Sequence, residues 1–108
     1  MAARTLLDLF GANASITSGV LSVTLADFTD VGLDGASPDP TDIAAALVLK
    51  WKATQVDGSE TDPTVGLVVQ DEFKSFLLRG DQSHLEYQYP VSLYIPDTTS
   101  TLDPDDVV

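Results

Sequence analysis

The side chains that most often carry out chemistry in proteins are few and scattered in this sequence. His84 is the single histidine, and there is no cysteine. His84 lies in a run where polar and apolar residues alternate, without the nucleophile elbow or other spacing that a serine–histidine relay requires. We therefore interpret His84 as a surface residue and predict no catalytic residues. The lack of cysteine also excludes disulfides, thiolate nucleophiles and cysteine-ligated metals.

Carboxylates are abundant, but their spacing does not suggest a catalytic or metal site. Asp71-Glu72 and Asp105-Asp106 are chain neighbours, whereas acid–base catalysis needs two carboxyl groups at a set separation in a pocket. The acidic segments 34–42 and 103–106 lack the alternating ligands, central glycine and closing glutamate of a calcium loop. The pair of glycines at 32 and 35 has neither a basic partner nor the strand–helix context of a phosphate loop. We predict no metal and no cofactor.

Four aromatic residues could form a surface that stacks on sugars or binds peptides: Trp51, Tyr87, Tyr89 and Tyr94. Core and interface roles are much commoner for such side chains. Tyr87 and Tyr89 share the apolar side of an alternating run, so we interpret them as core or subunit contacts. Tyr94 lies on the opposite side and is the best single candidate for recognition of an external group.

The charge of the chain excludes two classes of partner. Seventeen acidic residues face five basic ones, giving a net charge of −12. Nucleic acid and anionic membrane surfaces both require a basic footprint, so we expect neither as a partner. The start of the chain lacks a signal-peptide pattern, and no apolar run approaches the roughly 18 residues of a membrane span. We expect a soluble chain that stays where it is made, unless a larger assembly exports it.

Two helices are predicted from capping signals. The first covers residues 5–10, with Thr5 as its cap and Gly11 closing it. The second, the main helix, covers about residues 40–53, with Asp39 as N-cap and Pro40 as first helical residue. This helix is apolar well beyond one stripe, so it is either enclosed within the domain or meets a partner with its second face.

Alternation of apolar and polar residues predicts strands over 15–25, 64–70 and 84–95, with a loop over 28–40. Gly19 indicates a turn or bulge before the alternating residues of the first strand. Residues 71–79 fit either one helical turn or a bent strand. Pro90 cannot donate a hydrogen bond to a ladder, so the strand over 84–95 is an edge strand or is broken there. A long edge strand bearing aromatic side chains is a ready site for pairing with another chain.

Together these elements predict an α+β fold: a small antiparallel β-sheet or sandwich with one main helix, a short N-terminal helix and an extended C-terminal segment. The expected division is a single domain over 1–95 and an extended acidic arm over 96–108. Strand order does not follow from these signals.

Two classes of function fit these features. The first is a non-enzymatic structural protein that forms a homo-oligomer or coats a larger lattice. The alternative is a small binding module for a peptide, a sugar or calcium, presenting Tyr94 or the segment 34–42. For the first class, the predicted partner-interface residues are Leu6, Leu7, Phe10, Val48, Trp51, Tyr89, Tyr94, Val107 and Val108.

A resemblance of general texture to a known class of proteins is carried by two parts of the chain. They are residues 6–14, LLDLFGANA, and residues 89–97, YPVSLYIPD, running into 102–108, LDPDDVV. In these stretches the chain resembles small structural proteins of tailed bacteriophages, such as head-decoration or cement proteins and neck or tail components. The resemblance implies a virion component, assembled in the host cytoplasm, with arms that staple neighbouring capsid or tail subunits. It carries no diagnostic motif and assigns no functional residue, and it leaves head and tail locations open.

Overall fold

The computed structural model describes residues 4–34, 39–96 and 101–107, and it has the predicted α+β fold. The regular elements of these residues are α1 (Leu6–Phe10), β1 (Ser15–Thr17), β2 (Val20–Ser22), α2 (Pro40–Ala53), β3 (Leu67–Val69), β4 (Phe73–Arg79), β5 (Gln82–Gln88) and β6 (Val91–Leu93). Short 3-10 helices cover Leu25–Val31, Ser59–Thr61 and Pro104–Asp106. Within the described residues, the strands form three two-stranded antiparallel ladders, β1–β2, β3–β6 and β4–β5.

Both predicted helix starts are confirmed. Thr5 accepts a hydrogen bond from the Asp8 amide, and the Asp8 carboxylate accepts one from the Thr5 amide, which completes a capping box. Asp39 and Asp42 make the same reciprocal pair at the start of α2. The predicted limits of α2, 40 and 53, are those observed.

The predicted strand over 15–25 is wrong as a single strand. It is instead the short hairpin β1–β2, closed by Ser18 and Gly19, followed by a 3-10 helix from Leu25. Ser18 and Gly19 both have positive φ, 51° and 78°, as the two central residues of a type I′ turn require. The turn or bulge predicted at Gly19 is this turn, but Ser18 carried no such prediction, because serine is a poor signal for a left-handed conformation.

The predicted loop over 28–40 is wrong in its first part, because residues 25–31 are helical and hold the centre of the core. Phe28 is only 2% exposed and clusters with Leu33 and with Ala46 of α2. Half-buried apolar residues surround this cluster: Val23, Leu25, Val31 and Leu47. Burial of the Phe28 ring is the packing reason that an aspartate-rich segment becomes ordered here.

Several hydrogen bonds join α1, α2 and β3 into one body. The Arg4 guanidinium donates to the Trp51 carbonyl and to the Thr54 hydroxyl, both at 2.6 Å. The Trp51 indole donates to the carbonyl of Leu9 at 2.9 Å. The Val69 N–H donates to the Gln55 side-chain oxygen at 2.7 Å, and the Gln55 side-chain NH2 donates to the Val69 carbonyl at 2.9 Å. These two bonds satisfy the backbone of Val69 on the side where, among the described residues, β3 has no neighbouring strand.

The predicted strand over 84–95 is broken at Pro90, one of the two outcomes expected from the sequence. Residues 67–69 pair with 91–93, and residues 73–79 pair with 82–88, so one long hairpin is interrupted midway. Three residues, 70–72, oppose only Tyr89 and Pro90 across the interruption. This extra residue is a bulge, which bends the hairpin at the position where proline lacks an N–H.

The segment 71–79 fitted a helical turn or a strand, and its residues Phe73–Arg79 form the strand β4. The turn after β4 is Gly80-Asp81, with Gly80 at a φ of 63°. Positive φ at the first central residue alone is the geometry of a type II′ turn, where glycine is preferred.

The predicted acidic arm over 96–108 is described in part. Residues 97–100 and Val108 lie outside the described residues. Leu102, Pro104 and Val107 line a cleft of about 400 Å³ with Leu67 and Leu93 of the β3–β6 ladder. This segment therefore lies beside the base of the long hairpin.

Candidate protein-interaction surface

The outer part of the long hairpin, residues 73–88, projects from the body, and we call it the distal hairpin. Its two seven-residue strands pair with each other and make at most isolated contacts with the other described elements. The radius of gyration is 16.0 Å, whereas a compact chain of this length would have about 13 Å. Seven residues of strand span about 23 Å, which accounts for the elongated 48 × 31 × 26 Å shape.

The two faces of the distal hairpin differ in character. Cross-strand partners point to the same side, so Phe76 pairs with Leu85, and Lys74 pairs with Tyr87. Phe76 is 83% exposed and Leu78 70% exposed, values close to those of an unfolded chain. We define the apolar face of the distal hairpin as Phe76, Leu78, Leu85 and Tyr87.

The opposite, mixed face alternates polar and apolar side chains. Phe73, 65% exposed, and Leu77 lie there beside Gln82, Glu86 and Gln88. His84 is on this face too, opposite Leu77, and its Nδ1 has no hydrogen-bond partner among the described residues. The His84 imidazole is half-buried and this Nδ1 is itself buried, whereas the sequence analysis interpreted His84 as a surface residue.

A groove connects the apolar face of the distal hairpin to the main helix. It has a volume of about 550 Å³ and is lined by Ala45, Val48 and Leu49 of α2 together with Tyr87 and Tyr89. We call it the α2 groove. Because Tyr87 belongs both to the groove and to the apolar face, the two form one continuous apolar surface. The second apolar side of α2, which the sequence left unassigned, is the floor of this groove.

The root of the distal hairpin is tied to α2 by an ion pair. The Lys52 ammonium lies 2.8 Å from the Asp71 carboxylate, which sits in the bulge. Its hydrogen bond lowers the pKa of Asp71 and raises the pKa of Lys52. Near the core, the Lys50 ammonium lies 2.8 Å from Asp30 and 5.3 Å from the centre of the Phe28 ring. The hydrogen bond from Lys50 lowers the pKa of Asp30.

Basic residues outside the body are confined to the distal hairpin. Arg4, Lys50 and Lys52 all bond within the body. Lys74 lies 5.4 Å from the centre of the Tyr87 ring and 4.0 Å from Glu72. Arg79 makes no ion pair within the described part of the chain. Lys74 and Arg79 balance Asp81 and Glu86, so the distal hairpin has no net charge, and the rest of the chain carries the full −12.

The structure describes eight of the nine predicted interface residues, and they lie in five locations. Leu6, Leu7 and Phe10 lie on α1, where Leu7 is exposed and the other two are half-buried. Val48 and Tyr89 line the α2 groove, while Trp51 bonds to Leu9 inside the body. Tyr94 follows β6 and is partly exposed; Val107 lines the cleft beside β3, and Val108 lies outside the described residues.

Only Val48 and Tyr89 of the nine lie on the continuous apolar surface, and the most exposed members of that surface were missed. Phe76 and Leu78 stayed out of the prediction because residues 71–79 fitted both a helical turn and a strand, whereas Leu85 lies in the predicted strand over 84–95 and was not selected. The signal that could have found them is Gly80-Asp81, a two-residue turn between two runs of equal length.

Over residues 4–34, 39–96 and 101–107, no group of three or more histidine or acidic side chains is placed to hold a metal ion. Nor is any helix of those residues long and apolar enough to cross a membrane. Comparison of the chain with protein-family models, curated proteins and solved structures returned no match.

Proposed function

We propose that this chain is a non-enzymatic structural protein that assembles with copies of itself or with neighbouring subunits, using the apolar face of the distal hairpin as its main contact. The observation that carries this proposal is the exposure of Phe76 and Leu78 on an element with little support from the body. Isolated two-stranded hairpins are marginal in water, and a partner that covers the apolar face would stabilise this one.

The size of the exposed face supports the same function. From their exposed fractions, Phe76, Leu78, Leu85 and Tyr87 together present roughly 400–500 Å² of side-chain surface. The largest apolar patch on a monomeric protein is about 300–600 Å² and is often functional. Exposed residues of the groove extend the patch further, so the surface is of the size that marks a protein–protein contact.

We place this assembly in a virion, as a head-decoration or cement protein or as a neck or tail component. This part of the proposal is supported by the resemblance of residues 6–14, 89–97 and 102–108 to small structural proteins of tailed phages. A hairpin that extends from a small body is a suitable device for joining neighbouring subunits in a capsid or tail, because it reaches beyond the footprint of its own domain.

Light scattering coupled to size-exclusion chromatography tests the assembly function without any ligand. We expect the wild-type chain to elute with at least twice its 11.5 kDa mass. Phe76→Ser should shift it toward the monomer. Phe73→Ser is the matched control, since it removes another well-exposed phenylalanine, 65% exposed, from the mixed face of the same strand.

Circular dichroism of both variants should match the wild type, because neither ring contributes to the core. A wild-type chain that elutes at 11.5 kDa at every concentration would contradict the proposal. If that monomer also gained thermal stability on addition of calcium or a sugar, the binding-module function would be favoured instead.

A further inference from the structure

We propose that the α2 groove receives the tip of the distal hairpin from a second copy of this chain, in a reciprocal exchange. This inference rests on the proposed assembly function and names the surface that accepts the hairpin. The exchanged groups are Phe76 and Leu78 of one copy, which enter the groove between α2 and Tyr87 of the other.

The first argument is the area that a stable contact needs. The hairpin face presents roughly 400–500 Å², and an acceptor surface no larger than this face brings one contact to less than about 1,000 Å² in total. Specific interfaces usually bury about 1,600 Å², and smaller contacts are weak. Two contacts, one in each direction, bury more area than a single contact, with Tyr87 counted once because it belongs to both surfaces, and this favours a reciprocal exchange over a one-way contact.

The second argument is that the surface is complementary to itself. The groove lies at the root of the distal hairpin, on the side to which its apolar face points, since Tyr87 belongs to both. Two hairpins stacked face to face and antiparallel would therefore put each tip at the other's root. A two-fold axis makes both contacts identical, as in most homodimers. A volume of about 550 Å³ is within the range of clefts that hold a bound group.

The third argument is charge. Two bodies that each carry the full −12 repel one another, whereas the distal hairpin has no net charge. The hairpin can therefore approach the body of another copy without like-charge repulsion of its own.

Disulfide trapping tests the exchange, and the absence of cysteine gives a clean background. We would mix a Leu78→Cys chain with a Val48→Cys chain under mild oxidation and identify the disulfide by mass spectrometry. Within one chain, Leu78 lies about 13 Å along the hairpin from the level of Tyr87, too far for a disulfide. We expect the mixed disulfide to form several-fold more than the one between Arg79→Cys, the control on the mixed face, and Val48→Cys.

The double variant Leu78→Cys/Val48→Cys tests reciprocity. We expect it to close into a covalent dimer with two disulfides, whereas a ladder of larger species would overturn the two-fold exchange. Failure of this inference differs from failure of the proposed function. A wild-type oligomer that Phe76→Ser dissociates, but in which Leu78→Cys does not trap Val48→Cys, would overturn only the docking site. A wild-type monomer at all concentrations would overturn both.

Discussion

At the scale of single residues, Lys50 is the cation most deeply placed in the described chain. It is 7% exposed, and its ammonium bonds to the Asp30 carboxylate, which is largely in solvent. The alkyl stem and ammonium pack on Phe28 at the centre of the core. Packing of the stem should therefore contribute more than the ion pair, which water screens on the Asp30 side.

We predict that Lys50→Ala lowers the free energy of unfolding by about 2 kcal/mol, since it removes the stem and leaves space beside Phe28. Lys50→Met keeps most of the stem and should cost about half as much. Urea denaturation measures both. Equal losses for the two variants would assign the effect to the ion pair rather than to packing.

The pair between Lys52 and Asp71 predicts a dependence on pH. Because the hydrogen bond from Lys52 lowers the pKa of Asp71 in the folded state, the charged carboxylate favours folding. Its contribution is complete above the ordinary aspartate pKa of about 4, and it is lost as the pH falls through the lower folded value.

We therefore expect wild type and Asp71→Asn to differ in urea midpoint at about pH 6 and to converge as the pH falls from about 4 toward 2. Asp105→Asn serves as the control, since Asp105 is exposed and has no ion-pair partner in the described chain. A difference between wild type and Asp71→Asn that persists unchanged at about pH 2 would show that the ion pair is not its cause.

At the scale of elements, the parts that could be predicted are those specified by local chemistry. The start of α2 follows from the Asp39 cap and Pro40, and the break in the long strand follows from Pro90. The strands β1 and β2 were merged because Gly19 fitted a bulge as well as a turn and Ser18 gives little signal for a turn. The distal hairpin was missed because spacing in its first strand suits a helix as well, and only pairing with β5 decides between them.

The distal hairpin and the body should be separable. We predict that replacing residues 74–87 by Asn-Gly leaves the body folded, because Phe73 and Gln88 are cross-strand partners that a two-residue turn can connect. The shortened chain should keep a cooperative thermal transition near that of the wild type and elute as a monomer. Loss of the cooperative transition would instead assign the hairpin a role in the fold of the body.

At the scale of the whole molecule, net charge opposes assembly and the neutral hairpin permits it. Salt should therefore strengthen the association, since the Debye length shrinks from about 14 Å at 0.05 M to about 4 Å at 0.5 M. We predict that the dissociation constant measured by analytical ultracentrifugation falls several-fold over this range. An assembly that salt weakens would be held by ion pairs between subunits, contrary to an apolar contact.

The interaction surface could be predicted from the sequence only in kind. An apolar second side of α2 was evident, and two of the predicted interface residues, Val48 and Tyr89, line one groove. The position of that groove depends on how the bulge at residues 70–72 directs the hairpin over α2. That direction is a property of tertiary packing, and no local pattern in the chain encodes it.

The central claim is that another copy of the chain covers Phe76. Hydroxyl-radical footprinting of the wild-type protein over a range of concentrations measures this directly, with Phe73 as an internal reference on the opposite face. The account predicts that oxidation of Phe76 falls as the protein associates while oxidation of Phe73 stays constant. Equal oxidation of Phe76 at all concentrations, in a protein shown by its mass to associate, would contradict it.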